Sequence, residues 1–134
     1  MKKIALFFLS LAAIATTGFA ERIVLDNETS YPNKSQKSKI AVQWATSAKE
    51  VDDGNQALIH GLKLNSDNLQ ILSRSGKTDL TVPKKAEYFR IVAWSKGEGD
   101  PDLHTNWVEI VPNKTYTLQA DHFVPSVLIL GTGC

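Results

Sequence analysis

Short runs of alternating apolar and polar residues, separated by turn residues, dominate the chain after residue 20. They recur about every 8–12 residues, a spacing typical of all-β domains. In the run Lys39 to Thr46, one face carries Ile40, Val42 and Trp44. The run Tyr88 to Ser95 is apolar on both faces, which predicts a strand at the centre of a sheet.

Seven further segments show strand patterns, and one segment is predicted to be a loop. The predicted strands are Arg22–Asp26, Ala57–Leu64, Asn68–Arg74, Thr78–Val82, Thr105–Val111, Thr115–Gln119 and Phe123–Leu130. Within Ala57–Leu64 the side chains expected to share a face are Leu58, His60, Leu62 and Leu64, with residues 68–74 as the hairpin partner. Ser47 to Asn55 is predicted to be a polar loop, with Asp53-Gly54 as a turn signal. Ala48 to Val51 could make one helical turn but carries no apolar stripe.

Eight or nine short strands in one chain of this size predict an all-β, single-domain antiparallel β-sandwich, spanning residues 21–134. A small β-barrel is the alternative. The segment Ile110-Val-Pro-Asn-Lys-Thr-Tyr-Thr-Leu118 resembles the corner between two strands in immunoglobulin-like and fibronectin-type-III-like sandwiches. This resemblance implies a fold of that type with about 7–9 strands, and it implies no activity.

The first twenty residues have the three-part pattern of a Sec-type signal peptide. Lys2 and Lys3 give a basic start, and an apolar run follows from Ile4 to Ile14. Gly18 and Ala20 are the small residues expected before cleavage after Ala20. The apolar run is shorter than the roughly 20 residues that cross a bilayer. We therefore expect a bacterial protein that is not membrane-spanning and that is periplasmic or secreted after residues 1–20 are cleaved.

The net charge and the cysteine count limit the kinds of binding partner that the sequence supports. The chain has 15 Lys and Arg against 14 Asp and Glu, a net charge of +1. Removing residues 1–20 removes two lysines and no acid, which leaves 13 against 14 and a net charge of −1. This balance argues against a nucleic-acid partner. Cys134 is the one cysteine, so a disulfide could form only between chains and would link a dimer.

The motifs of catalysis are missing. The chain has neither a Gly-x-Ser-x-Gly elbow nor a Ser-x-x-Lys pair, so we expect no enzyme activity and no cofactor. The loop Lys96–His104 holds weak calcium candidates at alternate positions, namely Glu98, Asp100 and Asp102. The favoured interpretation is a solvated turn without a metal. The alternative is a small metal-assisted hydrolase that uses this loop and His104.

Aromatic and charged residues on two neighbouring strands suggest a binding surface. One face of Tyr88–Ser95 and the outward face of Thr105–Val111 together supply Tyr88, Arg90, Trp94, Trp107 and Glu109. Val108 and Ile110 lie on the opposite face and are expected in the core. Exposed aromatic residues beside charges suit sugar rings or a protein surface. The alternative is that Trp94 lies in the core and that Trp107 is a single surface aromatic covering an edge. The sequence therefore predicts an exported, non-enzymatic protein that binds a protein or glycan partner, with a structural envelope protein as another alternative.

Overall fold

The computed structural model describes residues 21–126, which form two β-sheets and one α-helix. The predicted signal peptide, residues 1–20, lies outside the described residues. So do Cys134 and the end of the last predicted strand, in residues 127–134.

Nine strands and one α-helix make up the described part of the chain. The strands are β1 (Arg22–Asn27), β2 (Lys39–Ala45), β3 (Leu69–Ile71), β4 (Gly76–Thr81), β5 (Tyr88–Trp94), β6 (Leu103–His104), β7 (Val108–Glu109), β8 (Thr115–Leu118) and β9 (Val124–Pro125). The helix, α1, is Ala48–Ile59, and short 3₁₀ turns span Lys34–Gln36, Ser66–Asn68 and Ala120–His122. The predicted β-rich, two-sheet architecture is confirmed, whereas the absence of a helix is not.

The smaller sheet has the order β4-β1-β8, and the larger has the order β3-β2-β5-β6-β9. In the larger sheet β5 pairs with β2, β6 and β7, so its predicted central position is confirmed. In the smaller sheet β1 runs antiparallel to β4 but parallel to β8. The expectation of wholly antiparallel pairing is therefore wrong. β1 and β8 are far apart in sequence, so no tight hairpin forces them to run in opposite directions.

The main core lies between the two sheets. The larger sheet contributes the predicted apolar face of β2, together with Phe89 and Ile91 of β5. The smaller sheet contributes Ile23, Leu25, Leu80 and Leu118. A fully buried side chain of this size stabilises the fold by about 1.5–3 kcal/mol. Val108, which was expected in the core, is 37% exposed, and the strand around it has only two residues.

Helix α1 is the main departure from the predicted elements. It replaces the predicted loop at Ser47–Asn55 and the start of the predicted strand Ala57–Leu64. The four side chains expected on one strand face therefore separate: Leu58 and Leu64 are buried, whereas Leu62 is 57% exposed. β3 pairs with β2 instead of with residues 57–64.

The helix forms because its first turn is capped and because it packs against the larger sheet through two buried residues, Gly54 and Leu58. Ser47 Oγ accepts a hydrogen bond from the Glu50 amide at 3.2 Å, and Glu50 Oε1 accepts one from the Thr46 amide at 2.7 Å. Ser, Thr or Asp at this position satisfies an amide that the helix leaves without a partner. Leu58 then joins Ala41, Val92 and Trp94 in an apolar cluster on the second face of the larger sheet. Both faces of that sheet are consequently covered, one by the smaller sheet and one by α1.

The predicted corner before β8 is held by one tyrosine. Tyr116 Oη donates a hydrogen bond to the Glu109 carbonyl oxygen at 2.9 Å and accepts one from the Val111 amide at 2.8 Å. Its ring also packs edge-on against Phe89, with centroids 4.9 Å apart. Tyr116 thereby ties the turn that precedes β8 to the core between the sheets.

Candidate functional site

The five predicted binding residues divide between the interior and the surface. Arg90 and Trp94 are 1% and 7% exposed, so the expectation that they lie on an open surface is wrong. Both belong to the face of β5 that α1 covers, and the helix was not predicted. Tyr88 and Trp107 are half-buried, and Glu109 is exposed.

The Arg90 side chain connects the larger sheet to α1 through three hydrogen bonds. Its Nε donates to Gln43 Oε1 at 2.7 Å, and its Nη2 donates to the Gly54 carbonyl oxygen at 3.1 Å. Its Nη1 donates to Asn55 Oδ1 at 3.0 Å. A guanidinium has five N–H groups. Within residues 21–126, these bonds therefore leave one N–H on each terminal nitrogen for another acceptor.

The Trp107 ring lies against the Arg90 guanidinium. Its ring centroid lies 4.5 Å from Arg90 Cζ, within the range of a cation–π interaction. Its indole Nε1 also donates to Asn55 Oδ1, at 3.0 Å. Two donors from two different segments thus converge on the same amide oxygen of α1.

Gly54 allows the helix to approach this group closely. A Cβ atom at this position would lie 3.1 Å from Trp107 Cζ2, 3.2 Å from Gln43 Nε2 and 3.3 Å from Arg90 Nη2. Each of these separations is tighter than ordinary van der Waals contact between carbon and its neighbours. The missing side chain therefore lets α1 approach closely enough for the Gly54 carbonyl oxygen to accept a hydrogen bond from the buried guanidinium.

Arg90 is a buried cation that is held by neutral acceptors. Burial lowers the pKa of Arg90 to about 10, which still leaves the guanidinium charged at neutral pH. The structure pairs Lys49 with Asp53 on the surface, but within residues 21–126 no carboxylate oxygen lies within 4.0 Å of Arg90. Buried arginines are normally paired with a carboxylate, because an isolated charge is costly to remove from water. The absence of such a partner in the described chain marks Arg90 as unusual.

A cavity of about 310 Å³ opens beside this cation, between α1 and the segment that connects β6 with β7. We call it the Arg90 cavity. Its lining residues are Asp52, Asn55, Gln56, Ile59, Arg90, His104, Thr105, Asn106 and Trp107.

His104 is a buried titratable side chain in the lining of the cavity. It is buried, and its Nδ1 lies 3.2 Å from Ser126 Oγ. Burial lowers the pKa of His104, and the charge of Arg90 lowers that pKa further. His104 is therefore neutral at pH 7, so Arg90 and Asp52 carry the charges of the cavity wall.

The remaining predicted binding residues lie apart from the Arg90 cavity. Tyr88 pairs opposite Glu109 across β5 and β7. Trp94 donates from Nε1 to the Gly99 carbonyl oxygen at 2.9 Å, and the Lys39 ammonium lies 5.0 Å from its ring. Trp94 thus holds the loop after β5 in place, and it does not form one platform with Trp107.

The acidic loop has a structural explanation for at least one of its carboxylates. Asp102 Oδ1 accepts a hydrogen bond from the Ser95 amide at 2.8 Å, and Asp102 Oδ2 accepts another from the Ser95 hydroxyl. In the part of the chain that the structure describes, no three His, Cys, Asp or Glu side chains are grouped so that they could hold a metal ion. Glu98, Asp100 and Asp102 therefore do not form the cluster that the calcium hypothesis requires.

A second cavity, of about 410 Å³, opens between the two sheets. Core side chains, among them Leu25, Phe89 and Leu118, line it. None of its lining residues is a buried charge like Arg90. The Arg90 cavity therefore offers the more specific chemistry.

Several lining residues were missed in the sequence because the helix was missed. Asn55 and Gln56 fall in and beside the predicted loop. The available signal was the capping-box pattern Ser47-Ala-Lys-Glu50, which typically starts a helix. Gly54 and Leu58 follow at helical spacing, on the side that faces the sheet.

Comparison with known proteins adds no relative. No protein-family model matches the chain, and no curated protein matches it significantly. Among the described residues, the structure contains no helix with the length and apolar character needed to cross a membrane.

Proposed function

We propose that the chain is an exported, non-enzymatic β-sandwich protein that binds a carbohydrate in the Arg90 cavity. The observation that carries the proposal is the lining of this cavity, where one tryptophan ring lies among three amide side chains. Asn55, Gln56 and Asn106 can each donate and accept hydrogen bonds, as vicinal sugar hydroxyls require. The Trp107 ring supplies an apolar surface for the C–H face of a sugar.

The size of the cavity favours a small ligand over a protein partner. Small-molecule sites typically enclose about 300–1,000 Å³ and combine apolar surface with a few placed polar groups. At about 310 Å³, the Arg90 cavity has room for about one sugar ring. A protein partner would instead require a broad surface, and the burial of Arg90 and Trp94 removes the centre of the patch that suggested one.

The absence of catalysis is part of the proposal, and it is supported by the chemistry near His104. Besides His104, the lining of the Arg90 cavity contains one carboxylate, that of Asp52, which is exposed. The carboxylates of the loop after β5 are engaged with that loop or lie outside the cavity lining. A binding role uses every feature of the cavity, whereas the hydrolase alternative leaves the amide side chains without a purpose.

Export to the periplasm or beyond is proposed from the three-part pattern of residues 1–20. The immunoglobulin-like or fibronectin-type-III-like type of the sandwich is likewise a proposal. It is supported by Tyr116, whose hydroxyl bonds back to the chain a few residues upstream as in the tyrosine corner of such domains. The order β4-β1-β8 differs from the A-B-E-D order of those sheets, so the support comes from the corner alone.

The test is a glycan array probed with the purified protein and with variants of the cavity rim. Gln56→Ala and Trp107→Ala should weaken binding to any retained glycan by about tenfold, since each removes a direct contact worth about 1–1.5 kcal/mol. Gln70→Ala is the matched control, because Gln70 is an exposed glutamine on β3 that does not line the cavity. Equal binding by Gln56→Ala and Gln70→Ala, or no retained glycan at all, would refute the proposal.

A further inference from the structure

We infer that the sugar bound in the Arg90 cavity carries a carboxylate, and that this carboxylate pairs with the Arg90 guanidinium. The inference rests on the proposed function, and it names the class of ligand: an acidic sugar such as a uronic acid. Its starting point is the charge of Arg90, which lines the cavity and has no carboxylate within 4.0 Å among residues 21–126.

All the hydrogen-bond acceptors of Arg90 are neutral, so a ligand anion would form the strongest bond to its guanidinium. Its three bonds go to an amide oxygen of Gln43, an amide oxygen of Asn55 and a backbone oxygen of Gly54, all of them uncharged. A carboxylate accepts from a guanidinium through two parallel bonds, and such charge-assisted bonds are about twice as strong as neutral ones. The terminal nitrogens each keep one N–H group, so two donors remain for the two oxygens of a carboxylate.

The position of Asn55 Oδ1 points to the same place. This oxygen accepts from both Arg90 Nη1 and Trp107 Nε1, at 3.0 Å each. Asn55 is half-buried and lines the cavity, so the donors of Arg90 and Trp107 meet at the cavity wall. A carboxylate held by the two remaining Arg90 N–H groups would therefore lie close to the Asn55 amide and the Trp107 ring.

The other titratable groups in the cavity are consistent with an anionic ligand. His104 faces the same space and is neutral, because burial and the charge of Arg90 both lower its pKa. Asp52 is the one carboxylate in the lining, and it is exposed on the rim contributed by α1. Asp52 should therefore oppose an acidic sugar modestly from the rim, while Arg90 attracts it from the base.

The experiment is calorimetric titration of the purified protein with three probes: sodium glucuronate, glucose and sodium acetate. Glucuronate should bind at least about tenfold more tightly than either glucose or acetate, because it alone combines ring contacts with a charge-assisted pair. Equal affinity for glucose and glucuronate would overturn the acidic-sugar inference and leave sugar binding intact. Equal affinity for acetate and glucuronate would support the Arg90 pairing but overturn the proposed carbohydrate function. Binding of none of the three would overturn both.

Two variants connect the result to these residues, one at the exposed rim and one at the buried guanidinium. Asp52→Asn removes the rim charge and should tighten glucuronate binding about two- to fivefold relative to glucose, as expected for partly exposed charges. Asp53→Asn is the matched control, since Asp53 is the next residue of α1, is exposed and does not line the cavity. Arg90→Lys keeps a positive charge but loses the planar fork, so it should lose at least about tenfold of the preference for glucuronate. An unchanged preference in a folded Arg90→Lys, together with no effect of Asp52→Asn, would refute the inference.

Discussion

At the scale of single residues, Arg90 determines the character of the site. Alternation along β5 places it between apolar neighbours on a central strand, where a charge is uncommon. The structure meets its hydrogen-bonding needs with Gln43, Gly54 and Asn55 and covers it with Trp107, yet leaves its charge without a carboxylate in the described chain. Its contacts hold α1 against the sheet, and Arg90 is one of the residues that line the cavity.

His104 gives a pH dependence whose sign is fixed by its surroundings. Burial and the charge of Arg90 lower the pKa of His104 in the folded protein below its ordinary value of 6.5. As pH falls through about 6.5, the unfolded chain therefore takes up a proton that the folded protein resists. The free energy of unfolding, measured with urea, should consequently decrease between neutral pH and the lower pKa of the folded state.

The variant His104→Gln should remove this part of the pH dependence while keeping a polar group beside Ser126. His60→Gln is the control, because His60 is exposed at the end of α1. If His104→Gln shows the same decrease of unfolding free energy on acidification as the unmodified protein, the assignment to His104 is wrong.

At the scale of elements, α1 is the part of the fold that creates the site. It contributes one wall of the Arg90 cavity, the acceptor oxygens of Gly54 and Asn55, and the rim residues Asp52 and Gln56. The helix is short and has a Gly in its middle, which weakens a helix by about 1 kcal/mol relative to Ala. Its stability therefore depends on its N-terminal cap and on its packing against the larger sheet.

Ser47→Ala should destabilise the protein by about 1 kcal/mol, because the Glu50 amide loses its acceptor. Urea unfolding measures this loss directly. Ser75→Ala, at an exposed serine between β3 and β4, is the control and should change the free energy of unfolding by less than about 0.5 kcal/mol. Equal stability of both variants would show that the cap does not hold the first turn of α1.

At the scale of the whole molecule, two sheets and one helix form three layers, and the larger sheet lies in the middle. The alternation of apolar residues was enough to predict β1, β2, β4, β5 and β8, because each of these strands buries one or both faces. It was not enough for α1, since a helix that packs through Gly54 and Leu58 shows almost no apolar stripe. The prediction that residues 68–74 pair with residues 57–64 was wrong for the same reason, since β3 pairs with β2.

The site was predictable only in part, for reasons of packing. Arg90 and Trp107 were expected to lie near each other from the pairing of their strands, and the structure places them in contact. That the contact is buried depends on α1, which comes from a separate stretch of the chain. Burial of a polar side chain is set by the element that covers it, and pairing of two strands carries no information about that element.

The central claim is that a ligand anion meets Arg90 and Trp107 together, and side-chain ¹⁵N NMR tests it most directly. On addition of glucuronate to the purified protein, the Arg90 Nε–H and Trp107 Nε1–H signals should shift together and saturate with one binding curve. The indole signals of Trp44 and Trp94, which lie in the two cores, should stay in place. Saturating shifts of Trp94 with an unmoved Trp107, or no shift of either Arg90 or Trp107, would contradict the account.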